Sequence, residues 1–110
     1  MKIFRQNNNV GFKKFSEEND LELNIIERAE EDHSFQYGKY YVSWTRVTIA
    51  EKSVTRSCGG DGASETEAVK VYISKVQGQT IQVYDSTFSE KKELVVPSGL
   101  YFDFEEDELK

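Results

Sequence analysis

The 110-residue chain carries one cysteine, one proline, one histidine and one methionine. Each scarcity excludes something. A lone cysteine permits no internal disulfide and leaves too few thiolates for a cysteine-rich zinc site. A lone histidine excludes a zinc enzyme of the His-Glu-x-x-His kind. A single proline beside 13% aromatic residues is not the composition of a disordered chain. No apolar run approaches the ~18 residues of a membrane span, so no transmembrane segment is expected. The stretch from Met1 to Asn7 has no apolar h-region, and no Sec-type signal is expected either. Phosphate-loop, dinucleotide-loop and EF-hand patterns are missing as well. These absences leave a small cytoplasmic domain with one core, no membrane association, no metal and no cofactor.

Charge is what the chain has in excess, and it is segmented. The formal net charge is -6, from 20 acids and 14 bases. Residues 17–32 hold eight acids against Arg28 alone, and residues 103–110 hold five acids against Lys110. The intervening residues 33–102 are almost neutral, and residues 1–16 are basic. Clustered carboxylates create a directional field and select a basic partner, whereas evenly spread acidity serves solubility alone. The bland alternative for both blocks is a solvated face and a frayed acidic tail.

Hydrophobic periodicity and turn chemistry give an α+β order. Asn7 to Gly11 is a turn signal. Leu21, Leu23 and Ile25 alternate, which favours a strand over a helix across residues 20–31. Lys39 to Ala50 is the clearest strand, rich in β-branched and aromatic residues. Its alternation puts Tyr40, Val42, Trp44 and Arg46 on one face and Tyr41, Ser43, Thr45, Val47 and Ile49 on the other. The strand is expected to continue through Ser53 to Thr55 after a kink. Cys58 to Gly62, with three glycines, reads as a loop. Ser64 and Glu67 form a capping box for a helix at about residues 65–77, whose apolar stripe is Ala68, Val69, Tyr72, Ile73 and Val76 and which Gly78 terminates. Further strands follow at Thr80–Asp85, at Glu93–Val96, and through Leu100, Phe102 and Phe104. The expected fold is one antiparallel sheet of about five strands with that helix packed on it. An OB-like barrel is a variant with the same element order. One domain spans residues 1–102 and an acidic tail spans 103–110.

Three chemistries can be read from these residues. The glycine loop before a helix would suit an anion, but Asp61, Glu65 and Glu67 oppose one, and a plain connection is the better reading. Cys58 would need a base to act as a nucleophile, and nothing in the sequence pairs it with His33. No enzyme is expected. The aromatic strand offers Tyr37, Lys39, Tyr40, Trp44 and Arg46 as a stacking platform for single-stranded nucleic acid, against which stand the core's need for large aromatics and a pI of about 4.8. The acidity itself points to a non-catalytic binding protein: an inhibitor or nucleic-acid mimic, of the kind phages and mobile elements carry, that occupies the basic surface of a partner protein. Its contact residues would be Glu27, Glu30, Glu31, Asp32, Asp103, Glu105, Glu106, Asp107 and Glu108.

Overall fold

The structure is a computed structural model and describes residues 9–28, 38–51, 54–56 and 58–105. Its best-specified element is helix α2 (Glu65–Val76). The Ser64 hydroxyl accepts from the Glu67 backbone N–H at 3.1 Å, and the Glu67 carboxylate accepts in return from the Ala63 N–H at 3.0 Å. The expected capping box is thus present, with its return bond one residue earlier. All five residues of the expected stripe are buried. At the far end the Gln77 N–H donates to the Ile73 carbonyl. Gly78 has the expected positive φ of 76°, but its N–H turns away from the helix to the Val96 carbonyl.

Around α2 the described residues form nine strands and a second helix. In chain order these are β1 (Asn9–Gly11), α1 (Phe12–Glu18), β2 (Leu23–Glu27), β3 (Tyr40–Trp44), β4 (Val47–Glu51), β5 (Val54–Arg56) and β6 (Gly60–Gly62). After α2 come β7 (Thr80–Tyr84), β8 (Lys91–Val95) and β9 (Gly99–Tyr101). The α+β class and the strand at β2 agree with the sequence. The single five-stranded sheet does not, because the strands divide into three sheets: β2-β3-β6, β5-β4-β7-β8, and a parallel pair β1-β9. Among the described residues no sheet closes on itself, so the OB-like barrel variant is set aside.

The division arises at Thr45 and Arg46. The expected long strand from Lys39 to Ala50 is two strands, β3 and β4, that belong to different sheets. Arg46 adopts a left-handed φ of 59°, and the extra residue shifts the side-chain phase as a bulge does. Val47 and Ile49 therefore join Val42 and Trp44 in the core instead of sharing a face with Tyr41 and Ser43. The expected continuation through residues 53–55 is also a reversal, since β5 returns antiparallel along β4 with Glu51 opposite Val54.

The glycine segment is a strand and not a loop. Gly60 and Gly62 pair with Val42 and Tyr40 of β3, and α2 lies directly against them. A Cβ on Gly60 would sit 2.5 Å from the Tyr72 nitrogen, and one on Gly62 would sit 2.5 Å from the Ala68 nitrogen. Glycine here lets the helix backbone approach the sheet.

The core gathers where α1, β3 and α2 meet. The Phe12 ring stacks on Trp44 with centroids 5.0 Å apart and planes 7° apart, and Tyr72 meets Trp44 edge-on at 5.4 Å. The polar atoms of this cluster are matched. Trp44 Nε1–H donates to Ser16 Oγ at 2.8 Å, Ser16 Oγ donates to the Phe12 carbonyl at 2.8 Å, and the Trp44 backbone N–H donates to the Tyr72 hydroxyl at 3.1 Å. Desolvation raises the Tyr72 pKa well above the ordinary phenol value, more than the bond from Trp44 lowers it.

Candidate functional site

Helix α1 separates the two acidic blocks. Its N-cap residue, Gly11, has no side chain to offer, yet the first turn needs acceptors for its free N–H groups. Asp103 supplies them from ninety positions away: Oδ1 accepts from the Lys13 N–H at 2.6 Å and Oδ2 from the Lys14 N–H at 3.2 Å. A carboxylate there also complements the helix dipole. Asp103, expected as a partner contact, thus caps α1 with both carboxylate oxygens. Phe104 packs beside it on Phe12, centroids 6.1 Å apart. Glu105 is exposed. Glu106, Asp107 and Glu108 lie outside the described residues.

The first acidic block begins at the opposite end of α1. Glu17 and Glu18 close the helix, where the dipole is already negative. Asp20, in a left-handed turn at φ 56°, carries the chain toward β2, and the Leu21 N–H donates back to the Ser16 carbonyl at 2.8 Å. Glu17, Glu18, Asp20 and Glu22 are all exposed, and none takes a counter-ion among the described residues. The backbone that carries them is anchored by two buried residues, Ser16 just before them and Leu21 among them. Glu27 differs, since Lys39 on the neighbouring strand pairs with it at 3.2 Å. Glu30, Glu31 and Asp32 lie outside the described residues.

Tertiary structure adds acids that the sequence kept apart. A concavity of about 300 Å³ lies between the α1–β2 turn and the β7–β8 hairpin, with Asn19 and Asp20 on one side and Asp85, Glu90, Lys91 and Lys92 on the other. Asp85 organises that hairpin. It accepts from the Ser89 and Glu90 backbone N–H groups and from the Thr87 and Ser89 hydroxyls. Desolvation is the largest single influence on this carboxyl and raises its pKa. The bonds from Glu90, Ser89 and Thr87 together outweigh it and hold the pKa below the ordinary value. Asp85 therefore stays ionised at neutral pH beside Asp20.

The aromatic platform does not assemble. Trp44 is 1% exposed and presents no face to a nucleic-acid base, because its ring is shared between Phe12 and Tyr72. Tyr40 is half-buried, with the Lys39 ammonium 5.7 Å from its ring centroid. Arg46 leaves the strand and donates from Nε to the Tyr84 carbonyl at 3.3 Å. Tyr37 lies outside the described residues. The residues that do share the outer face of β2, β3 and β6 are ones the sequence reading passed over. Arg28 donates to the Gly38 carbonyl at 2.7 Å and pairs with Asp61 at 2.6 Å, 5.6 Å from the Tyr41 ring centroid. Desolvation, then Cys58 and Asp61, raise the Tyr41 pKa. The alternation of β3 signalled Tyr41 as Trp44's opposite; the pairing of Arg28 with Asp61, 33 positions away, left no local sign.

Cys58 is half-buried at the edge of this face, and His33 lies outside the described residues. Among the described residues no three histidine, cysteine or carboxylate side chains converge as a metal site would require. No helix there is long and apolar enough to cross a membrane. In comparisons with family models, curated proteins and solved structures, the chain matches none.

Proposed function

We propose that this protein is a small, non-catalytic acidic binding protein of the cytoplasm that occupies the basic surface of a partner protein. The carrying observation is the exposed run Glu17, Glu18, Asp20 and Glu22, without counter-ions among the described residues and held on the rigid turn from α1 to β2. The backbone that presents these carboxylates is already ordered, so binding costs little loop freedom, which favours affinity. Asp85 and Glu90 extend the negative surface across the adjoining concavity. A basic surface that accepts a phosphate backbone would accept such an array, so inhibition by nucleic-acid mimicry is the reading it supports best. With Trp44 in the core, the single-strand binding alternative loses its stacking surface.

The test is capture from a nuclease-treated extract of the native host, with the wild-type chain and with an E17Q/E18Q/D20N/E22Q variant as baits. A basic protein retained by the wild type, released by added DNA and lost from the variant is the expected result. Equal retention on both baits, or nucleic acid as the retained species in an untreated extract, would contradict the proposal.

A further inference from the structure

A second concavity, unrelated to the acidic face in its chemistry, opens where β3 bends into β4. Its volume is about 400 Å³, within the usual range for small-molecule sites of roughly 300–1,000 Å³. The floor is hydroxyl and amide: Asn24, Tyr41, Ser43, Thr45 and Thr48. Among the described residues no carboxylate lines it, although the chain holds 20 acids. The Thr48 hydroxyl is buried and has no hydrogen-bond partner among the described residues, an arrangement that costs free energy unless a ligand completes it.

The rim is aromatic and cationic. Phe88 is 62% exposed, and its ring lies 5.6 Å from that of Tyr84 at an interplanar angle of 37°. Arg46 is the one charged residue among the described residues that line the groove. Its Nε bonds the Tyr84 carbonyl, and its terminal nitrogens carry no bond among the described residues. Both Phe88 and Arg46 hold left-handed backbone, at φ 60° and 59°, where bulky side chains are uncommon.

We propose that this groove binds a planar heterocyclic ligand bearing one phosphate, of the size of a nucleoside monophosphate. The ring lies against Phe88, the ring edge meets the hydroxyls of the floor, Thr48 included, and the phosphate meets the Arg46 guanidinium, whose planar fork suits it. The absence of carboxylates from the described lining is what admits an anion to so acidic a protein.

Cys58, the chain's single thiol, lines the same groove and reports occupancy. The intact protein is treated with a thiol reagent in the presence of adenosine 5′-monophosphate, adenosine or ribose 5-phosphate, and calorimetry follows the same titrations. The monophosphate should slow modification saturably, adenosine should do so more weakly, and ribose 5-phosphate should not. Phe88→Ala should weaken the monophosphate about tenfold, as loss of one stacking contact does. Arg46→Gln should erase the difference between monophosphate and nucleoside. Thr48→Val should bind more weakly and yet raise the melting temperature, since it removes an unmatched hydroxyl. Thermal unfolding confirms that each variant is folded. Binding of ribose 5-phosphate equal to that of the monophosphate, unchanged affinity in Phe88→Ala, or no saturable heat with any of the three compounds would overturn the proposal.

Discussion

Trp44 carries the most consequential side chain in the core, because its ring and its indole N–H have separate requirements. The ring is met by Phe12 and Tyr72. The N–H needs an acceptor, since a buried donor left unpaired costs about 1–3 kcal/mol. Ser16 is that acceptor and donates its own O–H to the Phe12 carbonyl. Ser16→Ala should therefore destabilise the protein by about 1–3 kcal/mol in urea unfolding. Combining it with Trp44→Phe should cost less than the sum of the two single changes, because neighbours that share one bond are not additive. Strict additivity would mean that the bond contributes nothing. This residue also shows where sequence reasoning ends. Alternation put Trp44 on one face with Tyr40, Val42 and Arg46. It could not say whether that face looks inward, and the answer depended on Phe12, Ser16 and Tyr72, up to 32 positions away.

At the scale of elements, legibility followed locality. Helix α2 could be read because its cap, stripe and terminating glycine are all within the segment. Helix α1 could not, because the carboxylate that satisfies its first turn is Asp103 and its own N-cap is glycine. The bend between β3 and β4 was hidden because arginine, not the usual glycine or asparagine, occupies the left-handed position. The strand β6 was hidden for the opposite reason. Its glycines resemble a loop, and only the approach of α2 explains them. That explanation has a direct consequence. Gly60→Ala introduces a methyl against the α2 backbone, and overpacking typically costs 1–3 kcal/mol, so the melting temperature should fall clearly. At the exposed tip of the β7–β8 hairpin, Ser89→Ala removes only the hydroxyl's bonds to Asp85 and Thr87 and should cost less. If Gly60→Ala left the melting temperature unchanged, α2 would not be resting on β6 as the structure has it.

For the whole molecule, the layout of charge is the functional statement. The sequence showed two acidic blocks and predicted contact through Glu27 to Asp32 and through the tail. The structure divides their roles differently. Asp103 is spent on α1, Glu27 is matched by Lys39, and the carboxylates without a counter-ion among the described residues lie earlier, from Glu17 to Glu22, with Asp20 lining the same concavity as Asp85 and Glu90. The array begins on Glu17 and Glu18, the last two residues of α1, and Glu17 is only four residues from the Lys13 N–H that Asp103 caps, a rise of about 6 Å. This is shorter than the ~8 Å screening length at physiological ionic strength, so charge at the capped end and charge in the array are felt together. The most direct measurement is the association rate of the wild-type chain and of E17Q/E18Q/D20N/E22Q with the captured basic partner across a series of salt concentrations. Surface charges act mainly on the encounter. The wild-type rate should fall steeply with salt, and the variant should associate slowly at every salt concentration with a shallow dependence and a nearly unchanged dissociation rate. Equal association rates for the two chains, with no effect of salt on either, would contradict the acidic-surface account.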